Sequence, residues 1–249
     1  MPSLGSHMVR ACTLAEKLSL PEIDADRRSF YLGSTAPDIR VITKGDRADT
    51  HFYNLEDLNS QDSVAVMLER YPQLKKGPDR EKKMIAFIAG YITHLVLDNA
   101  WIEEIYRPTF GVYSSMDNDP KSDILDRVLQ YELDIRDRKN FDVIKEVKVA
   151  INIEHRPPSI PFIGNEYLIQ WFDMMNDVIE QKPDYSRFKR MLNRHLKNAG
   201  YDEANIDSFS ADPQFIIGEA FGVVTNKKLN YFWQKAEQEM FDQVRHYLR

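Results

Sequence analysis

One cysteine, Cys12, stands among the 249 residues, so no disulfide can form within the chain and a disulfide scaffold is excluded. Positive charge is not in excess: 33 Lys and Arg against 39 Asp and Glu leave a formal net charge of -6. That balance lacks the broad basic surface needed for non-specific nucleic-acid binding, though local basic patches remain open. No apolar stretch with a small-residue cleavage site follows the opening MPSLGSHMVRA, which makes a cytoplasmic location the expectation. Internal repeats, low-complexity tracts and alternating runs of strand length are also missing. The most apolar stretch, residues 84–102, contains His94 and Asp98, so it reads as a buried helix and no transmembrane segment is expected.

Hydrophobic residues make up 43% of the chain and charged residues 29%, enough apolar side chain to bury a core and too much for disorder. An all-α fold is expected, a single multi-helix domain over residues 1–249. Its chemistry-bearing part is residues 1–110, and residues 111–249 form a helical part of unassigned role. Leu4, Ala11, Leu14 and Leu18 recur at helical spacing with His7 on the same stripe, so His7 points inward. A short helix is expected from Asp24, as its N-cap, to Gly33, and Thr35–Pro37 then lead to Asp38 on a loop. Residues 41–54 show no sustained period and read as an ordered loop carrying His51. A helical pattern over 62–74 is followed by Gly77-Pro78 and a long central helix over 79–106, apolar on nearly every side. Gly90 inside that helix costs about 1 kcal/mol of propensity, which implies close approach by a neighbour. Further helices are expected over 121–139, 142–151, 165–181, 186–197, 212–221 and 226–248, with a Pro-rich connection at 155–161.

His94 and Asp98 lie four residues apart, which stacks both side chains on one helix face where they can grip one ion. Imidazole nitrogen and carboxylate oxygen are ordinary zinc ligands, and a carboxylate can bridge two ions. Placing an ionised Asp beside Leu95, Val96 and Leu97 costs several kcal/mol unless it is paired or metal-bound. A buried polar pair would satisfy that need as well. Inward-facing His7, Asp38 and His51, on separate elements upstream, weigh toward a metal site.

Four runs in order carry a resemblance: MPSLGSH with Ala11 four residues after His7, FYLGSTAPDI, THF, and FIAGYITHLVLD. Together they are similar to the zinc-dependent phospholipase C family, whose helical fold is shared with fungal single-strand-specific zinc nucleases. The resemblance implies a metal-dependent, di-zinc hydrolase of phosphoester bonds with a metal-bound water as nucleophile. It implies that His51, His94 and Asp98 hold one zinc, that His7 and the other oxygen of Asp98 hold the second, and that Asp38 orients the water or takes its proton. Two cations neutralise charge on phosphoryl oxygens while a carboxylate handles the proton. The acidic balance favours a lipid or small-molecule phosphoester over nucleic acid as the substrate.

Two features depart from the family. Its secreted members use an N-terminal Trp amine as a ligand, where this chain opens Met-Pro. The family's third zinc takes two histidines and a carboxylate after the central motif, and no His stands between His94 and His155. Glu103, Glu104, Asp126 and Glu132 are the partial replacements available, so two metals are expected. Phosphohydrolases of the HD type would need an adjacent His-Asp pair, which is absent. The alternative is a helical interaction or scaffold protein with a structural or degenerate metal site.

The remaining candidates read plainly. His155, His195 and His246 are expected at the surface. Phe52, Tyr53 and Trp101 are either pocket lining or core. Arg40, Lys44 and Arg47 could meet a phosphate, though a solvated loop is the simpler reading. Asp117, Asp119, Asp123 and Asp126 lack calcium-loop spacing. Cys12 has no charged activator and is expected as a buried thiol.

Overall fold

The computed structural model describes residues 1–119, 121–152, 156–198, 207 and 211–249. The fold is all-α; among the described residues the only extended pairing is an isolated bridge between Ile160 and Ile163. In chain order the helices are α1 (Leu4–Leu18), α2 (Pro21–Asp24), α3 (Arg27–Gly33), α4 (Arg40–Thr43), α5 (Ala48–His51), α6 (Ser63–Arg70) and α7 (Lys82–Trp101). These are followed by α8 (Arg107–Thr109), α9 (Ser122–Arg138), α10 (Phe141–Ile151), α11 (Asn165–Glu180), α12 (Phe188–Asn198), α13 (Pro213–Val223) and α14 (Asn226–Tyr247).

Helix α7 is the axis of the fold. Only Lys82, Lys83, Met84 and Asn99 escape burial in it, because it packs on α3 and α14 and also on α1, α2 and α6. It begins at Lys82 rather than at residue 79, because the Gly77-Pro78 turn, closed by Arg80 N–H on the Gly77 carbonyl, uses up the intervening residues. After Trp101 it passes into a π turn, Ile102–Tyr106, and then into α8. By length and composition alone, residues Lys82–Thr109 could cross a membrane, yet 94% of the apolar window is buried inside the protein. Gly90 does serve close approach: a Cβ there would collide with the Phe30 carbonyl of α3, and one at Gly33 would collide with the Phe87 carbonyl of α7.

The second expected helix is two. Asp24 ends α2, and the N-cap of α3 is Asp26, whose carboxylate accepts the Ser29 N–H at 2.9 Å. Asp38 lies in a 3₁₀ turn, Ala36–Ile39, and the aperiodic stretch after it holds the single-turn helices α4 and α5. A single turn presents too few residues to show a hydrophobic period.

The C-terminal half closes over the same core. Trp101 packs edge-to-face on Phe232 of α14, and the apolar cluster runs from Met8 to Leu248. Of the Pro-rich connection, His155 lies outside the described residues.

Candidate metal centre

Four elements deliver the candidate side chains, and each is fixed by contacts away from the site. The N-terminus of α1 is anchored on α9: buried Asp134 accepts from Ser6 N–H at 3.1 Å and from the Ser3 hydroxyl at 2.6 Å. An anion against the open amides of a first helical turn is the favourable arrangement, and it sets the depth at which His7 enters the core. Helix α5 is held by Tyr91 of α7, whose hydroxyl donates to the Thr50 carbonyl at 2.5 Å. The Thr50 hydroxyl donates to the Pro37 carbonyl at 2.8 Å, which ties α5 to the turn bearing Asp38. Directly after His51 the chain turns left-handed at Phe52 (φ 54°), a conformation costly for an aromatic residue. The Phe52 ring is wedged against Tyr71 and Phe162.

The four deepest candidates converge. His7, His51, His94 and Asp98 are 2%, 1%, 0% and 1% exposed. Nε2 of His7 lies 3.3 Å from Asp98 Oδ1, while Nε2 of His51 and of His94 lie 3.3 and 3.5 Å from Asp98 Oδ2. The His7 and His94 rings stack with centroids 3.7 Å apart, and His51 meets His94 edge-on. Asp38 Oδ1 approaches His51 Nε2 at 3.4 Å, and its side chain is 26% exposed, so it is the member of the set that solvent reaches.

Backbone partners define the tautomers. Nδ1 of His94 lies 2.9 Å from the Ser34 carbonyl oxygen, which can only accept, so Nδ1 carries the proton and, in the neutral ring that a metal would bind, Nε2 keeps its lone pair. The Thr50 hydroxyl spends its proton on Pro37 and so accepts from Nδ1 of His51, 3.1 Å away, with the same result. The Nε2 atoms of all three histidines and Oδ1 of Asp98 are buried without a hydrogen-bond partner. Orphaned nitrogen lone pairs and a carboxylate oxygen gathered in one place are the donor set of a transition-metal site, and these residues fit zinc. Two triplets have ligand atoms within 4.8 Å of one another: His7, His94 and Asp98, and Asp38, His51 and His94. His94 belongs to both, so the side chains form one continuous cluster.

The electrostatics suit cations. Burial alone would raise the Asp98 carboxyl, but His94, His51 and His7 outweigh it and hold the group well below the usual carboxylate range. Burial opposes ionisation of Asp38 too, yet His51 and His94 bring it down to about 2. His7 is pushed down, first by burial and then by His94, whereas His94 is lifted against its own burial by Asp98 and Asp38. The Met1 amine is drawn down to about 6 chiefly by burial, with Asp126 and Asp98 pulling the other way.

Several expectations change. Arg47 is not on a solvated loop: it is 8% exposed, and Nη2 lies 2.9 Å from Asp98 Oδ2, whereas Arg40 and Lys44 are exposed. His195 is half-buried and lines a cavity with Met1, Asp123 and Asp126, while His246 is exposed as expected. Asp126 is buried, accepting from Trp101 Nε1 at 3.1 Å and Gln130 Nε2 at 2.6 Å, and Asp117, Asp119 and Asp123 are exposed. Phe52, Tyr53 and Trp101 are buried, and Trp101 is core. Cys12 is a buried thiol, pushed up to about 12 by its burial.

The proposed replacements for third-metal ligands have other partners. Glu104 pairs with Lys235, Glu132 with Arg136 and Tyr185, and Glu103 with Ser60. No triplet forms around them among the described residues. Ser34 and Thr50, which set the tautomers, were beyond reach of sequence reasoning because their effect depends on contacts between separate elements.

No curated protein and no solved structure matches the chain. Residues 4–111, which contain every member of the cluster, match the model of the zinc dependent phospholipase C family, the family that the four motifs resemble.

Proposed function

We propose that His7, His51, His94 and Asp98 hold a pair of zinc ions and that the protein hydrolyses phosphoester bonds in the manner of a phospholipase C. The family match supports a metal-dependent phosphoester hydrolase. The observation that carries the finer reading is the convergence of three unpartnered Nε2 atoms on one buried carboxylate. Bound zinc supplies Lewis acidity toward phosphoryl oxygens and lowers the pKa of water. The chain's own residues do the rest. Asp98, with an oxygen toward His7 and another toward His51 and His94, would hold the ions together with those three histidines. Ser34 and Thr50 keep Nε2 of His94 and His51 available as donors. Asp38, ionised and the most exposed member, takes the proton from the attacking water at Oδ1 and can pass it to solvent.

A lipid or small-molecule phosphoester suits the net charge of -6 better than nucleic acid does. We also place the protein in the cytoplasm and treat residues 1–249 as one domain. The test is hydrolysis by zinc-replete protein of bis(p-nitrophenyl) phosphate and of phosphatidylcholine vesicles, with and without chelator. Chelator-sensitive release of product from either supports the reading. Zinc-replete protein that cleaves neither overturns it in favour of a structural metal site in an interaction protein.

A further inference from the structure

We propose that Arg47 is the residue that recognises the phosphoryl anion at this centre, donating from a guanidinium nitrogen that no protein group occupies while Nη2 stays on Asp98. The inference rests on the phosphoester reading above and names the side chain that reads the phosphoryl group.

Arg47 is the N-cap of α5, and its carbonyl accepts the His51 N–H at 2.8 Å. The four-residue spacing sends Arg47 and His51 out on the same face. Nη2 lies 2.9 Å from Asp98 Oδ2 and also contacts Met1 Sδ, whereas Nε and Nη1 are buried and have no hydrogen-bond partner. A guanidinium stays charged at every working pH and carries five donors on a rigid planar fork. Burying one with two of its three nitrogens unsatisfied is unfavourable, so the free donors call for an acceptor.

The same fold shows how a purely structural arginine behaves. Arg138, equally buried, gives Nε to Asp134 Oδ2 at 2.7 Å and Nη1 to the Val178 and Gln181 carbonyls at 3.3 and 3.0 Å. Arg47 spends one nitrogen on its carboxylate and keeps two without a protein acceptor. Nearby, the Tyr53 hydroxyl is also buried without a partner, and it feels the Arg47 charge. Met1, which touches Arg47, borders a cavity of about 280 Å³ whose other lining includes Leu55, Tyr106, Arg127, Asp123 and Asp126. An anionic acceptor suits these donors, and phosphate is among the anions that arginine binds with strong charge-assisted hydrogen bonds.

The experiment uses the full zinc-loaded chain with inorganic phosphate as the probe, in the parent, Arg47→Met and Arg47→Lys. Calorimetry gives the phosphate dissociation constant and elemental analysis gives zinc content. Arg47→Met is expected to weaken phosphate by at least about tenfold per zinc-loaded chain. Arg47→Lys keeps a cation against Asp98 but loses the unpartnered Nε and Nη1 donors, so it should retain zinc and recover only part of the affinity. Unchanged phosphate affinity in a variant that retains zinc overturns the proposal. So does parallel loss of zinc from both variants, which would reduce Arg47 to a support for Asp98, and so does a parent that binds no phosphate. A parent that binds phosphate through Arg47 yet cleaves no phosphoester would refute the hydrolase reading and leave the anion site standing.

Discussion

Gly90 of α7 rests directly on the Phe30 carbonyl of α3, with the Ser34 amide nitrogen 3.0 Å from where a Cβ would stand. Gly33 returns the contact onto Phe87, so two glycines let the helix backbones meet. The close approach has a chemical result. It sets the Ser34 carbonyl 2.9 Å from Nδ1 of His94, and so it fixes which nitrogen of His94 is free.

That contact predicts the sign of Gly90→Ala. In a roomy mid-helix site the change gains roughly 0.5–1 kcal/mol of stability. Here the new methyl must push α3 away, and overpacking of this kind costs about 1–3 kcal/mol. Urea denaturation should show the variant less stable than the parent and its zinc affinity lowered as His94 loses its support. A stabilised variant would mean that the helices are farther apart than described.

Asp38 should separate metal retention from turnover. Its turn is held by the Thr50 hydroxyl, which donates to the Pro37 carbonyl, so Asp38→Asn keeps the local shape. Zinc content should stay close to the parent's, while hydrolysis falls by a factor on the order of 10²–10⁴, the usual contribution of a positioned base. A variant as fast as the parent would remove Asp38 from proton transfer.

Acid should act on the metal-stripped protein through its carboxylates. Asp98 sits well below the ordinary carboxyl value of 3.8 and Asp38 at about 2, both lower folded than unfolded. Their contribution is therefore present above pH 3.8 and is lost as the pH falls toward 2. The histidines act higher and against each other. His7, lowered from 6.5, withdraws stability as the pH falls below that value, and His94, raised, adds stability there that is lost as the pH rises through its folded value. Urea midpoints of chelated protein should thus drop below pH 4. Midpoints that stayed flat to pH 2 in the parent, or an Asp38→Asn variant with an undiminished acid loss, would contradict this assignment.

Much of the centre was readable in one dimension. The spacing of His94 and Asp98 puts them on one helix face with Leu95, Val96 and Leu97 between them, and the stripe of α1 turns His7 inward. What could not be read is whatever depends on contacts between elements. Asp26 replaces Asp24 as the cap of α3 because Pro21 opens a separate turn, α2, that Asp24 closes. Arg47 reads as one of three basic residues on a polar stretch, and only the folding of α5 against α7 carries it to Asp98. Glu104 and Glu132 looked available for a metal until distant Lys235 and Tyr185 claimed them.

The central claim is that one buried carboxylate, Asp98, organises a pair of metal ions, and elemental analysis of the parent beside Asp98→Asn tests it most directly. The parent, purified with zinc present, should carry about two ions per chain and lose thermal stability on chelation, because bound metal stabilises the fold that binds it. Asp98→Asn keeps the shape but removes the charge that faces all three histidines, so both ions should weaken together and its melting temperature should match that of the chelated parent. Less than about half an equivalent in the parent, a melting temperature indifferent to chelator, or full metal content in Asp98→Asn would contradict the account.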